Sequence, residues 1–245
     1  MGEVAILVSS CESYCRTVTP RLLASLAREG VPARDVFVVI GETPAPERAS
    51  TYQAGGMAVA AWHVPYVNFD NNALLWAVSD AGRAALAGYE WALLVHDTVE
   101  VLSGFLDRVQ GRLRCVSDDV HAFRLKPGWS MSMGYYRLAT LWAHASAMTE
   151  AVRVNHVATT PEDSKFAIKF GGVDRDGTED VVFRWLERLV PPGGVRVLNE
   201  HGAGVRASTT CVYDTDTQRV TEVFPDPGLA KHKANWGQGG MHVTP

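Results

Sequence analysis

The amino-acid sequence predicts an α/β fold with a mainly parallel β-sheet, and two observations carry that prediction. Short apolar segments alternate with segments of helical periodicity, which is typical of βαβ units. The apolar segments contain few polar residues, so they fit strands that are buried on both faces. Four segments have this character: Val4 to Ser9, Val36 to Ile40, Met57 to Val64, and Trp91 to Val95.

Helices are predicted before two of these strands. One helix, over Val18 to Glu29, ends at Gly30, and another, from near Asn71 to Leu86, ends before Gly88. Glycine ends helices because it adopts the left-handed conformation without the steric penalty of a Cβ atom. Each helix is then followed by a buried strand, as parallel pairing requires.

The second half of the chain predicts shorter strands and more helix. The expected strands are Ala122 to Leu125, Ser130 to Gly134, and Val195 to Asn199. The expected helices are Leu138 to Ala151, Thr160 to Gly171, and Thr178 to Leu189. The two short strands around a Lys-Pro-Gly turn indicate a small antiparallel portion beside the parallel sheet.

Composition limits the classes of function. A net charge of −4 and a pI near 6.1 argue against a general nucleic-acid binder. A local basic groove could still form from four arginines: Arg108, Arg112, Arg114 and Arg124. No apolar run approaches the ~20 residues of a membrane span, and no signal-peptide pattern opens the chain, so we expect a cytoplasmic protein. The four cysteines lack zinc or disulfide spacing, which favours reduced thiols.

The first candidate site follows the fourth apolar segment, where His96, Asp97 and Thr98 end it abruptly. Ligands of open α/β sheets bind beyond the carboxyl ends of the strands. A carboxylate there suits a divalent metal that carries a diphosphate, because such metals prefer oxygen ligands. The same residues equally fit a turn or the cap of the next helix.

Two further segments could carry chemistry. Glu179 and Asp180 open a predicted helix, where acids either cap the helix favourably or serve as a general base at a cleft. Near the C-terminus, a basic and aromatic group could balance phosphate charge, ligate a metal and close over a sugar, or could belong to a basic tail without function. Its members are Lys231, His232, Lys233 and Trp236.

In their order, these segments resemble the GT-A fold glycosyltransferases, especially the large inverting family that uses nucleotide-diphospho-sugars. The resemblance covers roughly residues 4 to 190, with a further similarity at GLAKHKANWG near the C-terminus. The segments that carry it are VAILVSSCES, VFVVIGE, NFDNNALLWAV, EWALLVHDTVEV, SMSMGYYRL and GGVDRDGTED.

The resemblance implies a role for each candidate residue. Asp180 would be the catalytic base, with Glu179 beside it. Asp97, in the position of the DxD motif, would approach the metal and the ribose, and His232 would be a further metal ligand. The residues implied to bind the nucleotide-sugar are Ser9, Ser10, Glu42, Asn72, His96, Asp97, Lys231, Lys233 and Trp236.

The expected cofactor is a divalent metal, Mn²⁺ or Mg²⁺. His96 and Thr98 stand where this family usually has acids, a departure that predicts either weak metal binding or the use of His96 as a ligand. The expected donor is a nucleotide-diphospho-sugar, with a UDP-sugar as the first choice. The acceptor is open between a glycan, a protein, a small molecule and a modified nucleobase.

The resemblance also implies a single domain over residues 1–245. Residues 1–102 would bind the nucleotide-sugar, 103–227 would carry the acceptor and catalytic half, and the glycine-rich stretch 228–245 would be a flexible tail or lid. The expected activity is that of a hexosyltransferase-like, inverting glycosyltransferase. The alternatives are a catalytically inactive GT-A-like binding module and, ranked lower, a nucleotidyltransferase that makes sugar nucleotides.

Overall fold

A computed structural model describes residues 4–12, 15–44, 46–66, 71–125, 132–155, 181–199, 210–214 and 219–234. These residues form a mixed α/β architecture with an eight-stranded sheet, mostly parallel and flanked by helices, and a four-stranded antiparallel sheet. The α/β sheet with a smaller antiparallel part, predicted from the sequence, is confirmed. The arrangement is consistent with the GT-A-like fold that the sequence resemblance implies.

The large sheet is built around the first strand of the chain. In spatial order its strands are β3 (Arg48–Ala54), β4 (Met57–His63), β2 (Val36–Gly41), β1 (Val4–Cys11), β5 (Trp91–His96), β8 (Gly134–Arg137), β7 (Ala122–Arg124) and β9 (Val195–Val197). Strand β1 pairs in parallel with β2 and β5, β2 pairs in parallel with β4, and β7 pairs in parallel with β9. The antiparallel pairings are those of β3 with β4 and of β8 with both of its neighbours.

The small sheet is attached at the carboxyl end of β5. Its strands, in spatial order, are β10 (Thr210–Asp214), β11 (Arg219–Phe224), β12 (Leu229–Ala234) and β6 (Val99–Val101). Only Asp97 and Thr98 separate β5 from β6. The C-terminal strand β12 pairs with β6, so distant parts of the chain meet where β5 ends.

Helices cover both faces of the large sheet, and each face has its own apolar core. Helices α1 (Thr19–Arg28) and α4 (Phe105–Leu113) pack on one face. The other face carries α2 (Asn72–Val78), α3 (Asp80–Leu86), α5 (Leu138–Ala143), α6 (Ala145–Asn155) and α7 (Val181–Leu189). A 3₁₀ turn, Ala33–Asp35, precedes β2. Because both faces are covered, the central strands need apolar residues at successive positions, which is why they lack polar alternation.

The structure divides two helices that the sequence predicts as continuous. The helix expected from Asn71 to Leu86 breaks at Ser79, whose backbone is extended and whose Oγ accepts a hydrogen bond from the Gly82 amide at 3.2 Å. Ser79 thereby caps α3, because serine competes well for backbone amides at helix starts. The helix expected over Leu138 to Ala151 is likewise divided at His144.

Several strand predictions also need correction. The strand expected over Ser130 to Gly134 lies at Gly134–Arg137, and residues 126–131 are outside the described part. Residues 229–234, predicted as the start of a flexible tail, form β12 because they find backbone partners in β6 and β11. Strands β3, β6, β10 and β11 are not predicted by the sequence patterns. The helix expected from Thr160 and the stretch from Asn235 to Pro245 lie outside the described residues.

We predict that Gly134→Ala destabilises the fold. A Cβ atom at Gly134 would lie 2.1 Å from the Phe123 carbonyl oxygen and 2.8 Å from Cζ of Phe183. Overpacking of this kind costs about 1–3 kcal/mol, which chemical denaturation measures directly. Gly88→Ala is the matched control, since a Cβ atom there would meet nothing within 4 Å. Equal stability of the two variants would contradict the packing described for β7, β8 and α7.

Candidate functional site

The order of the strands defines where a ligand is expected to bind. From β1 the chain builds β2 and β4 on one side and then crosses to β5 on the other side of β1. Open α/β sheets bind ligands at such a reversal, in the crevice beyond the carboxyl ends of the strands. In this protein the crevice lies between the ends of β1 and β5, where Ser9 pairs in register with His96.

Asp97 is held at this crevice by two contacts with β1. Its backbone amide donates to the Ser9 carbonyl oxygen at 3.1 Å, and its Oδ2 accepts a hydrogen bond from Ser10 Oγ at 2.7 Å. The Thr19 hydroxyl lies 3.1 Å from Ser10 Oγ. Because a serine hydroxyl has one proton, and Ser10 donates it to Asp97, Thr19 must donate to Ser10. The start of α1 and the end of β1 therefore fix the position of the Asp97 carboxylate.

A buried lysine from the C-terminal part of the chain contacts His96, the residue directly before Asp97. Lys231 Nζ is 2.7 Å from Nδ1 of His96, and both residues are buried. In the antiparallel register of the small sheet, Lys231 lies directly opposite Glu222, which is also buried. Residues opposite each other in such a ladder have neighbouring side chains, so β11 and β12 bring an acid and a base next to the end of β5.

The end of β2 forms the other wall of the crevice. Gly41 pairs with Cys11 of β1, and a Cβ atom at Gly41 would lie 1.9 Å from Nδ2 of Asn72. Glycine is therefore required for the buried Asn72 amide to approach the strand. Neighbouring Asn71 accepts a hydrogen bond from Ser132 Oγ at 2.9 Å, which ties the start of α2 to the residues before β8.

Glu42 follows Gly41 and has an uncommon backbone conformation, with a φ of 63°. Its amide donates to the Tyr66 carbonyl oxygen at 2.9 Å, which holds the loop after β2 against the segment after β4. A non-glycine residue in the left-handed region costs of order 1–3 kcal/mol and persists where its surroundings fix it. The conformation places a carboxylate-bearing residue at the carboxyl end of β2.

The thiol of Cys15, which feels the charge of Asp97, does not have the properties of a nucleophile. Burial raises the pKa of Cys15 above its usual value, and the charge of Asp97 raises it further. Its Sγ donates to the Glu12 carbonyl oxygen at 3.4 Å. Since the thiolate is the reactive form, Cys15 is a structural residue at this site.

His232 does not join Asp97 in the way that a shared metal requires. Its Nε2 lies 3.4 Å from Glu100 Oε2 and its Nδ1 lies 3.2 Å from Thr221 Oγ1. Successive side chains of a strand point to opposite faces, and Lys231, directly before it, faces His96. His232 is consequently on the other face, with its side chain partly exposed to solvent.

The described residues do not fit a metal centre made by the protein alone. Within the described ranges, no group of three or more His, Cys, Asp or Glu side chains could hold a metal ion. Nδ1 of His96 already contacts the ammonium group of Lys231 at 2.7 Å, so this nitrogen is taken. Of the two predicted metal ligands, only Asp97 lies at the crevice.

The other predicted site residues are only partly within the described chain. Lys233 belongs to β12 and pairs in register with Val220. Glu179, Asp180 and Trp236 lie outside the described residues. The catalytic roles assigned to Glu179 and Asp180 therefore remain predictions from the sequence.

Sequence reasoning did not identify three residues that shape the crevice. Gly41 could have been recognised from the sequence, because a glycine directly after a buried strand often permits a close approach of another chain segment. The sequence pattern around Glu222 is less informative; Glu222 shares a strand face with the buried Phe224. No sequence pattern points to Thr19, because its contact with Ser10 depends on how α1 packs.

The predicted groove of four arginines does not form as one surface. Arg124 lies on the α7 face of the sheet, where its Nη1 is 3.4 Å from Glu187 Oε1 and its guanidinium lies over the Phe183 ring. Arg114 donates to Gln110 Oε1 at 3.3 Å. Arg108 and Arg112 instead line a cavity with Arg196.

Comparison with known proteins gives limited information. No family model matches the chain, and no curated protein matches it. Among solved structures, the chain is similar to a glycosyltransferase involved in the glycosylation of the major capsid of PBCV-1, with a TM-score of 0.44 and 12% sequence identity over 79% of this chain and 81% of that chain. A likeness at this level assigns neither a family nor an activity.

Within the ranges that the structure describes, no helix is both long enough and apolar enough to cross a bilayer.

We predict that His63, at the end of β4, titrates below its usual pKa of 6.5. Burial lowers the pKa of His63, Arg48 lowers it further, and Glu12 partly opposes them. The folded protein then binds fewer protons than the unfolded chain, so the stability contribution of His63 is present above pH 6.5 and is lost as the pH falls through the lower folded-state pKa. NMR titration of the ring protons measures this pKa.

His63→Gln is the matching stability variant, because glutamine can keep a hydrogen bond to Ser50 Oγ, which lies 3.0 Å from His63 Nε2. It should weaken the loss of thermal stability on acidification below pH 6.5. A His63 pKa at or above 6.5 would refute the prediction.

Proposed function

We propose that this protein is a glycosyltransferase that moves a sugar from a nucleotide-diphospho-sugar to an acceptor hydroxyl. The observation that carries the proposal is the Ser10–Asp97 hydrogen bond of 2.7 Å at the crevice between β1 and β5. This is the position in which an open α/β sheet binds a nucleotide. It is also the position that the sequence resemblance to GT-A glycosyltransferases gives to the acid that approaches the ribose and the diphosphate.

In this proposal the donor extends along the ends of β1, β2 and β5. Glu42 would accept a hydrogen bond from the base, because its backbone conformation is fixed by the Tyr66 contact. Ser9 and Ser10 would line the pocket, and Asn72, which packs against Gly41, would close it. A UDP-sugar is the first donor to test, because it is the first choice from the sequence resemblance.

The diphosphate leaving group gains negative charge as its bond to the sugar breaks, and this charge needs a positive partner. Lys231 supports that role, because its ammonium group lies at His96, one residue from Asp97. Lys233, two residues further along β12, is proposed as a second cation. A divalent ion, if the reaction uses one, would be held by Asp97 together with phosphate oxygens, as Mg²⁺ is in other phosphate sites.

Catalysis is assigned to Asp180 on the strength of the resemblance. Asp180 would take the proton from the acceptor hydroxyl while Glu179 orients the acceptor. Direct displacement by that hydroxyl would invert the configuration at the sugar carbon.

Two alternative functions differ from this proposal, one in the sequence that it requires and the other in its response to nucleotides. A nucleotidyltransferase usually has a glycine-rich, basic loop after the first strand, but the segment SSCESYCR has no glycine and one arginine. A catalytically inactive GT-A-like module that binds a partner or a glycan would not respond to nucleotides.

We predict that one nucleoside diphosphate raises the melting temperature and that Asp97→Asn weakens this effect. UDP, GDP, TDP and CDP should each be tested with Mn²⁺, Mg²⁺ or EDTA. A ligand that binds only the native state at about 100 times its Kd stabilises it by about 2.7 kcal/mol. Asparagine can still accept the Ser10 hydrogen bond, so the fold should be kept while the charge is removed.

Asp107→Asn is the matched control, because Asp107 is exposed on α4. It should respond to the nucleotide like the wild-type protein. A shift that is the same with EDTA would exclude a metal requirement for binding. No shift with any nucleotide would reject the glycosyltransferase proposal in favour of the binding module.

We predict that Asp180→Asn abolishes sugar transfer and leaves nucleotide binding nearly unchanged. Loss of a general base lowers rates by about 10²–10⁴, and the isosteric amide keeps the shape of the side chain. Donor hydrolysis or transfer to an acceptor library, followed by mass spectrometry, measures the rate. Full activity of the variant, or loss of nucleotide binding, would show that Asp180 is not the base.

A further inference from the structure

A second cavity lies away from the crevice, between α4 and the edge of the large sheet. Its volume is about 520 Å³, within the range of small-molecule pockets. Arg108, Arg112 and Arg196 surround it, and Phe123 with Leu198 gives it an apolar floor. It is lined by none of the residues proposed to bind the donor, so it is independent of the proposed function.

The position of this cavity follows from the register of the sheet. Leu93, Tyr135, Phe123 and Arg196 lie in one row across β5, β8, β7 and β9. Strands are about 4.8 Å apart and rise about 3.3 Å per residue. Since β9 is three strands from β5 and the row lies three residues before His96, the Cα atoms of Arg196 and His96 are roughly 17 Å apart in the plane of the sheet.

Helix α4 presents a polar face to this cavity. Arg108, Gly111 and Arg112 line it, and their spacing of three and four residues puts them on one side of the helix. Cys115, in the turn after α4, lines it as well. The adjoining side of the helix, with Phe105, Val109 and Leu113, is buried in the core. The sequence thus reserves one face of α4 for packing and another for the cavity.

The charges around the cavity leave a net positive site. Arg112 donates to Asp226 Oδ2 through Nε at 3.0 Å and forms an ion pair with it. Arg196 lies 3.4 Å from Asp119 Oδ2, which is exposed. Arg108 donates to the Ser103 carbonyl oxygen at 2.8 Å, and none of the ion pairs between described residues includes Arg108. Among the described residues, Arg108 therefore lines the cavity with a guanidinium that forms no ion pair.

Gly111 leaves open space on the wall of the cavity. Glycine inside a helix is unfavourable relative to alanine, yet a Cβ atom at Gly111 would meet nothing within 4 Å. Packing inside the protein therefore does not require glycine at this position. A missing side chain on the wall of an open, cationic cavity leaves room for a bound molecule to approach the helix.

We propose that this cavity binds a small organic molecule that carries a phosphate or carboxylate group and an apolar, planar part. The guanidinium of Arg108 pairs with the oxyanion, because its planar donors match such groups in a bidentate manner. The apolar part lies beside Phe123 and Leu198, where it contacts the guanidinium of Arg112, which is placed over the Phe123 ring at 5.8 Å from the ring centre. The site is separate from the crevice at Asp97.

Cys115 provides a local measurement of binding. It is an exposed free cysteine that lines the cavity, whereas Cys11 and Cys15 are buried. Phenyl phosphate is the probe, with benzoate as its carboxylate counterpart and with inorganic phosphate and phenol as its separate parts. The rate of Cys115 alkylation by N-ethylmaleimide is followed by peptide mass spectrometry at constant ionic strength.

We predict that phenyl phosphate or benzoate protects Cys115 saturably and that phosphate or phenol alone does so less. The stronger of the two probes identifies the oxyanion. Arg108→Gln should weaken protection about tenfold or more, since a hydrogen bond to a charged group is lost. Gly111→Leu should abolish protection by filling the cavity, while its melting temperature shows that it is folded.

Arg21→Gln is the matched control, because Arg21 is exposed on α1, on the same face of the sheet but outside the cavity. It should leave protection unchanged. Equal weakening in Arg21→Gln and Arg108→Gln would reduce the effect to general charge attraction and overturn the proposal. Protection that persists in Gly111→Leu, or no protection by either probe, would overturn it as well.

Discussion

The parallel pairing of β1 with β2 and β5 is the constraint on which the fold and the crevice both depend. All eight residues of β1 are buried, with Ile6 and Val8 in one core and Ala5 and Leu7 in the other. A slip of one residue would send each side chain to the opposite face. The two cores therefore fix the register of β1, and this register places Ser10 against Asp97.

This dependence explains how much could be predicted from the sequence. Strands buried on both faces appear as continuous apolar runs, so β1, β2, β4 and β5 were recognised and the residues at their ends followed directly. Strand β3 has no apolar run, because it lies at the sheet edge with most of its side chains exposed, and the sequence pattern therefore does not predict it. Strand β6 has three residues, too few for any periodicity to be visible.

The contact between Lys231 and His96 lies beyond what local patterns reveal. The two residues are 135 positions apart, and they meet only because β12 pairs with β6. If residues 228–245 were a flexible tail, the side chains of both Lys231 and His232 could reach the site. Once Leu229–Ala234 is a strand, alternation of side chains separates them, and the lysine rather than the histidine faces β5. Because residues 229–234 form a strand and not a tail, Lys231 and not His232 lies next to His96.

The crevice and the α4 cavity also show why net charge describes this surface poorly. The chain carries −4 overall, yet a guanidinium that forms no ion pair with the described residues lines one cavity, and a buried carboxylate marks the other site. Two unit charges at roughly 17 Å, the separation found above for the Cα atoms of Arg196 and His96, interact by only about 1 kcal/mol at an effective dielectric constant of 20. Salt weakens this interaction further where the charges are exposed to solvent, because the Debye length is about 8 Å under physiological conditions. The local charge at each site is therefore set by the residues around it, and a protein with a net negative charge can contain a cationic cavity.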